Sequence, residues 1–178
     1  MVNVSTPEIL DTTLVSGTQD HLRIDREQNG WWGLRARQRL TQPRSVVFPF
    51  FADAANLGRI TPPELRFEIV TPRPIDMREG ALIDYRISTW HIPMRWRTLI
   101  SEWNPPFEFV DVQLAGPYAD WVHRHRFIDL GDDGTLMEDY VRFRLPLGRL
   151  GAMAGFIVRR QLTRIFTFRA ATIPSLLR

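Results

Sequence analysis

The sequence predicts an α+β protein in which a curved antiparallel β-sheet wraps around a long C-terminal α-helix, with two short helices after the first strand. Residues 81 to 145 form alternating apolar and polar runs separated by proline and glycine turns, which is the pattern of a meander of antiparallel strands. Residues 150 to 166 then place apolar side chains at helical spacing, as an amphipathic helix does. Short apolar groups ended by prolines precede the meander and indicate the two short helices.

The composition is typical of one globular domain without disulfides. A chain of 178 residues with 44% hydrophobic content can bury a sizeable core. The absence of cysteine excludes disulfides and thiolate metal sites. All 23 basic residues are arginine and are scattered along the chain, so nucleic-acid binding is disfavoured. No stretch has the pattern of a secretion signal or a membrane span, and we therefore expect a cytoplasmic protein.

The first strand is predicted over residues 34 to 41, where arginines occupy one face and mainly apolar side chains the other. The preceding stretch, 1 to 33, keeps no sustained period and is interpreted as an N-terminal extension to a domain of residues 34 to 178. Two short helices are predicted between residues 46 and 60, because apolar side chains recur at helical spacing there. Pro49 should limit the first of them to short pieces.

The remaining chain is predicted as a run of strands and a final helix. The strands are predicted at 65–70, 81–91, 93–103, 107–115, 119–130 and 135–145. Because the turns within the meander are short, neighbours in sequence should be neighbours in the sheet. The final helix should end at Pro174, and Gly155 leaves room for close approach near its start. The space between this helix and the sheet is a predicted cavity.

The strand at 119–130 separates two kinds of side chain. Successive strand residues point to opposite faces. One face holds Trp121, His123, His125 and Phe127. The opposite face holds arginines, as does the next strand, and is predicted to be solvated and paired with acids. Two imidazoles beside two large rings indicate the lining of a mostly apolar cavity with a few polar groups.

Neighbouring strands and one turn complete this predicted lining. Asp111 and Gln113 share a face of the preceding strand, and Trp96 and Thr98 share a face of the strand before it. The residues predicted to bind a ligand are Trp96, Thr98, Gln113, Tyr118 and Trp121. The residues predicted for acid–base chemistry are His123, His125 and Asp111. We expect the ligand to be a hydrophobic small molecule.

The two histidines have three interpretations. An imidazole that titrates near neutral pH suits general acid–base catalysis, and Asp111 could orient it. Tyr85, Tyr118 and Asp139 are further possible donors. Two imidazoles and one carboxylate are also a recognised zinc or iron set. However, residues two apart on a strand are separated by about 7 Å, so the two imidazoles converge only if their rotamers bring them together. No second carboxylate partner is apparent, and no metal site is expected. In the third interpretation these groups hydrogen-bond one another across strands and are purely structural.

Several motifs resemble the START-like, or SRPBCC, helix-grip superfamily, including its polyketide cyclase/dehydrase-type members and a small bacterial ligand-binding branch. The matching segments are FADAANLGRITPP at 51–63, WRTLI at 96–100, GPYADWVHRHRF at 116–127 and GTLMED at 134–139. Their order and spacing agree over residues 34 to about 170. The first 33 residues lie outside the resemblance, and their role is open.

The resemblance implies a deep pocket for a lipid, an aromatic or a polyketide-like molecule, in a START-like ligand-binding domain of residues 34–178. It implies no universal catalytic motif, because fold does not fix function. We therefore expect binding of a hydrophobic small molecule, without a cofactor, a nucleic-acid partner or a membrane span. The alternative is a cyclase or dehydratase that uses His123 or His125 as general acid or base. A homodimer is a candidate assembly.

Overall fold

A computed structural model describes residues 19–89, 92–146 and 148–177. Its strands are β1 (Gln19–Arg26), β2 (Trp31–Leu40), β3 (Glu68–Ile69), β4 (Leu82–Thr89), β5 (Ile92–Asn104), β6 (Glu108–Ala115), β7 (Asp120–Asp129) and β8 (Thr135–Arg144). Its α-helices are α1 (Arg44–Ala52) and α2 (Gly148–Leu176), and 3₁₀ turns span Gln28–Gly30, Ala54–Ile60, Pro63–Leu65 and Gly131–Asp133. Over the described residues, the strands form one antiparallel sheet in the order β1-β2-β8-β7-β6-β5-β4-β3. The predicted α+β architecture is confirmed.

The register of β6, β7 and β8 brings the inward-facing residues of the three strands side by side. Every second residue of β8 from Thr135 to Phe143 is buried, and β7 alternates in the same way. His125 pairs with Asp139 across β7 and β8. His123 pairs with Asp111 across β6 and β7. Because paired residues share a face of the sheet, both histidines and both aspartates point to the concave side.

Helix α2 lies across the concave face with its apolar stripe inward. Leu162, Phe166 and Ile173 are buried at spacings of four and seven residues, as a helix packed on a sheet requires. A Cβ atom at Gly155 would lie 2.8 Å from the ring of Trp32. The glycine therefore permits the close approach of helix and sheet that was predicted for this position.

Helix α1 fills one end of the space between α2 and the sheet. The ring centroids of Phe48 and Phe51 each lie 5.3 Å from that of Phe127 on β7. Ile173 and Leu177 of the α2 end belong to the same buried cluster. Such close-packed aromatic contacts leave little free volume. The cavity begins beside this cluster, since Phe50 and Phe51 of α1 also line it.

The meander strands agree with prediction to within a few residues, whereas the start of the sheet does not. The first predicted strand begins at Trp31 rather than Leu34. The ring of Trp32, its second residue, stacks on that of Phe143 with 6.2 Å between centroids. Strand β1 was not predicted, and it pairs with β2 along its whole length. Residues 1–18 lie outside the described residues. The division at residue 33 stays a prediction, although residues 19 to 33 contribute strand β1 and the first three residues of β2 to this sheet.

Three further boundaries differ from prediction. The strand predicted at 65–70 contains only Glu68–Ile69, because a 3₁₀ turn ending in a left-handed Arg66 takes its first residues. Helix α1 continues through Pro49, since its phenylalanines are buried on both sides of the proline. Helix α2 passes Pro174 and ends at Leu176. In these helices, burial of apolar side chains outweighs the hydrogen bond that a proline removes.

Candidate functional site

A cavity of about 550 Å³ lies between α2 and the concave face of the sheet. This volume is in the range of small-molecule pockets. Most of its wall is apolar. The lining includes Ile83, Ile87, Met94, Trp96, Trp121, Ile165 and Phe166. The edge of Trp96 meets the face of Trp121, with 5.4 Å between ring centroids and an interplanar angle of 89°. The cavity can therefore hold an apolar molecule of moderate size against rigid aromatic walls.

Two carboxylates flank a pair of imidazoles in the wall of this cavity. The ring centroids of His123 and His125 are 3.7 Å apart. On one side, Asp139 Oδ1 lies 2.8 Å from His123 Nε2 and 2.9 Å from His125 Nδ1. On the other side, Asp111 Oδ2 lies 3.0 Å from His125 Nε2 and 3.6 Å from His123 Nδ1. The rings converge although the two residues are about 7 Å apart along the strand, because their rotamers bring the rings together.

Arg169 of α2 reaches these four side chains from the helix that faces the sheet. Its Nη2 atom lies 3.7 Å from Asp139 Oδ1 and 3.5 Å from His125 Nδ1. The guanidinium lies over the rings of Phe51 and Phe166, and Arg169 is only 8% exposed. A buried carboxylate needs a compensating charge. Arg169 supplies it for Asp139. We call these five residues, Asp111, His123, His125, Asp139 and Arg169, the ionic cluster.

The surroundings shift the pKa values of the two imidazoles in opposite directions. Burial lowers the pKa of His123, and the neighbouring His125 lowers it further. Burial also opposes the charged form of His125, but hydrogen bonds to Asp111 and Asp139 outweigh it and raise the pKa of His125 above its ordinary value. Burial likewise opposes ionisation of Asp139, yet the charge of Arg169 and both imidazoles hold its pKa well below the usual range. A proton on this pair therefore belongs to His125, and His123 is neutral.

A second polar point lies on β4 and β5. The hydroxyl of Tyr85 is 3.1 Å from Thr98 Oγ1, and the ring of Tyr85 stacks on Trp96. Burial raises the pKa of Tyr85 and of Tyr118, so both phenols stay protonated at neutral pH. Protonated phenols are hydrogen-bond donors. The cavity thus offers neutral donors in addition to the charged groups of the ionic cluster.

Most of the residues predicted for the site border the cavity. They are Trp96, Thr98, Asp111, Tyr118, Trp121, His123 and His125. Gln113 was predicted to bind the ligand, but its Nε2 atom donates to the Tyr118 carbonyl at 2.8 Å and its Oε1 atom accepts from the Tyr118 N–H at 3.4 Å. It braces the turn that carries Tyr118. The alternation of β6 placed Gln113 on the cavity face, and hydrogen bonding near the strand end turned the side chain away.

Sequence reasoning named Asp139 only as a further possible donor and did not name Arg169. Asp139 lies beside His125 across β7 and β8, so the expectation that no second carboxylate partner exists was wrong. Arg169 was not predicted at all. Its signal was its position, because it follows Phe166 by three residues and precedes Ile173 by four, on the apolar stripe of α2. An arginine on the buried stripe of a helix needs a charged or hydrogen-bonding partner, so its position indicates a buried polar contact.

No protein-family model and no curated protein matches the chain, but solved structures do. An aromatase/cyclase, Zhui, from Streptomyces sp. R1128 superposes with a TM-score of 0.67 at 13% identity, covering 83% of this chain and 93% of that chain. A START superfamily protein from Mycobacterium smegmatis gives 0.61 at 14% identity, covering 81% and 98%. Protein CV1439 from Chromobacterium violaceum gives 0.63 at 14% identity, covering 82% and 96%.

These likenesses extend over most of each chain and concern the fold. The chain has a helix-grip fold like those of these three structures, and that fold is the one the sequence predicted. Sheet, long final helix and intervening cavity are all present in the described residues. Neither described α-helix is long and apolar enough to cross a membrane.

Proposed function

We propose that the protein binds a hydrophobic small molecule, a lipid or an aromatic or polyketide-like compound, in the cavity between the sheet and α2. The observation that carries this proposal is a cavity of about 550 Å³ whose wall is apolar except for a few convergent polar groups. Burial of apolar ligand surface against such a wall provides the driving force. The few polar groups fix the orientation of the ligand.

The polar groups suggest which end of the ligand goes where. Trp96, Trp121 and the aliphatic side chains of β4 offer contacts for a planar or branched apolar body. His123, His125 and Asp111 border the same cavity and carry the hydrogen-bonding capacity. A carbonyl or hydroxyl oxygen at that end would meet a polar partner. A ligand without oxygen would leave these groups unpaired, at a cost of about 1–3 kcal/mol per buried group.

The test is a binding titration with N-phenyl-1-naphthylamine, an uncharged aromatic probe that fluoresces in apolar surroundings. Ile87→Trp places a large ring into the cavity, and we expect the probe Kd to rise about tenfold or more, which is roughly 1.4 kcal/mol. Leu82→Trp is the matched control, because Leu82 lies on the same strand with 49% exposure on the other face. Its Kd should equal that of the wild type. Absence of saturable binding, or equal affinity in Ile87→Trp, would refute the proposal.

The second candidate function is a cyclase or dehydratase reaction in the same cavity. Its support is the pair of imidazoles that the surroundings set to different protonation states, an arrangement suited to paired base and acid roles. One of the structural neighbours is, by name, an aromatase/cyclase. In this reading His123 takes a proton from the carbon next to a carbonyl, and the C–H electrons form an enolate. As the C=C bond forms, the β-hydroxyl leaves with a proton from His125 as water.

An aryl β-hydroxyketone tests this reaction, because loss of water produces a conjugated enone that absorbs in the near ultraviolet. We expect His123→Gln and His125→Gln each to reduce turnover by about 100-fold or more. Binding of the naphthylamine probe should persist in both variants. Turnover that is unchanged in both would contradict the catalytic role. Loss of turnover that only follows loss of folding, measured by urea unfolding, would instead support a structural role for the histidines.

A further inference from the structure

The two imidazoles of the ionic cluster have Asp139 on one side and Asp111 on the other. On the Asp111 side, no N–H group is present when both rings are neutral and donate to Asp139. Asp139 Oδ1 lies within 2.9 Å of a ring nitrogen of each histidine, so it accepts two N–H groups when both rings are neutral. The remaining nitrogens, His123 Nδ1 and His125 Nε2, then carry lone pairs. Both lie near Asp111 Oδ2, at 3.6 Å and 3.0 Å. When His125 is protonated, its Nε2–H donates to Asp111 Oδ2 at 3.0 Å. When both rings are neutral, three acceptors converge on this point, and a cation can take the place of that proton.

We infer that this point is a binding site for one divalent transition-metal ion of the zinc class, held by His123 Nδ1, His125 Nε2 and Asp111 Oδ2. The three ligand atoms all lie within 4.8 Å of one another. Ligand atoms bound at about 2.0–2.2 Å in a tetrahedral arrangement are separated by roughly 3.3–3.5 Å. The two distances from Asp111 Oδ2 to the histidine nitrogens, 3.0 Å and 3.6 Å, bracket that value. Two imidazoles and one carboxylate are a common protein ligand set for zinc.

Asp139 holds the two imidazole ligands from behind. A histidine that binds a metal almost always donates its other ring N–H to a carboxylate, a carbonyl or a water molecule, which fixes the tautomer and the ring orientation. Here one carboxylate oxygen serves both rings. Asp139 is therefore a positioning residue for both ligands. Its own side of the pair is not the cation site, because Arg169 lies there at 3.5 Å from His125 Nδ1.

Charge and access both favour the Asp111 side. Two carboxylates and one guanidinium leave the ionic cluster with one net negative charge when both imidazoles are neutral. A divalent cation reverses that sign and satisfies the three converging acceptors at once. The Asp111 side chain is 16% exposed and borders the cavity. A three-ligand ion at this point keeps an open position towards the cavity, as ions with a fourth, exchangeable ligand do.

The test uses full-length protein without a polyhistidine tag, stripped with a chelator and titrated with Co²⁺. We expect one Co²⁺ per chain, visible absorption bands typical of a nitrogen- and oxygen-ligated low-coordinate ion, and loss of those bands on addition of Zn²⁺. Asp111→Asn should weaken binding at least 100-fold. Asp139→Asn should weaken it about 10- to 100-fold, the range for orienting partners of metal ligands. Glu138→Gln is the control, since Glu138 adjoins Asp139 on the other face and should leave affinity unchanged.

A second measurement does not depend on the folding of a variant. In the wild-type protein, Zn²⁺ should shift the imidazole ¹⁵N signals of two of the four histidines, at His123 Nδ1 and His125 Nε2. Absence of stoichiometric binding, no ¹⁵N shift, or equal affinity in folded Asp111→Asn would each overturn the metal site. The naphthylamine probe is titrated on the same chelator-treated protein. Probe binding without metal binding overturns this inference alone and leaves the proposed function in place.

Discussion

The two faces of β7 and β8 hold charged side chains in opposite ways. On the outer face, arginines and acids alternate across strands in contact with water. Its pairs include Arg124–Glu108 at 3.1 Å, Arg126–Glu138 at 3.6 Å and Arg142–Glu27 at 3.0 Å. The inner face holds the residues that alternate with these along each strand. There Asp139, His123 and His125 are almost fully buried. The same strands therefore place similar pairs in two very different dielectric environments. The pairs on the outer face are in contact with water and those on the inner face are not, and this decides how much the fold depends on each.

The outer pairs contribute little to stability. Their side chains are between 17% and 46% exposed, so water still reaches them. Ion pairs at the surface are typically worth about 0–1 kcal/mol, because solvent screens them and holding long side chains costs entropy. Several of these residues also have a second partner, as Glu138 does with Arg37 at 2.8 Å and Arg126. Loss of one partner leaves the other pair and free access to water. This face keeps the sheet solvated and determines no unique geometry.

The inner cluster is a different case, because water cannot replace a lost partner. Removing one member of a buried charge network leaves the others desolvated and unpaired. Apolar residues of similar volume would satisfy the packing at least as well, since replacing a whole buried ion pair in this way is often neutral or stabilising. Four of the five residues of the ionic cluster line the apolar cavity. Ligand or metal chemistry therefore explains the cluster better than stability alone does.

The largest expected effect separates these two faces with neighbouring residues. Asp139→Asn removes the charge that faces Arg169, and we expect the free energy of unfolding to fall by about 3–5 kcal/mol. Glu138→Gln, one residue away on the outer face, should change it by less than about 1 kcal/mol. Urea unfolding of both variants at pH 7 measures the difference. Equal losses in the two variants would mean that burial does not distinguish the two faces as described.

The sequence predicts the sheet better than the cluster because the two depend on different information. The alternation in the meander repeats over many residues, so the strand boundaries and the inward face of β7 could be predicted. Strand β1 was missed, since only Leu22 and Ile24 alternate among its polar residues and an edge strand needs little more. The pairing of Asp139 with His125 depends on a cross-strand register that periodicity cannot supply. Arg169 reaches the cluster only because α2 packs across the sheet.

The smallest expected effect concerns an exposed pair with ideal geometry. Arg97 of β5 donates to both carboxylate oxygens of Asp84 on β4, at 2.7 Å and 2.8 Å. This hydrogen bonding lowers the pKa of Asp84 below its ordinary value of 3.8. NMR titration of the carboxyl group should show the lowered pKa, and Arg97→Gln should return it towards the ordinary value.

The direction of the Asp84 pKa shift determines how the stability contributed by the Asp84–Arg97 pair depends on pH. Because the pKa of Asp84 is lower in the folded than in the unfolded protein, any contribution is present above the unfolded pKa of about 3.9 and is lost as pH falls through the folded pKa. Both side chains are more than a third exposed, at 38% and 52%. We therefore expect the free energy of unfolding of Asp84→Asn at pH 6 to equal that of the wild type within the resolution of urea unfolding. The pKa shift of Asp84 seen by NMR titration should shrink in 1 M salt, where the Debye length is about 3 Å. A clear loss of stability at pH 6 would show that bidentate geometry can compensate for exposure, and would place part of the outer face beside the ionic cluster in importance.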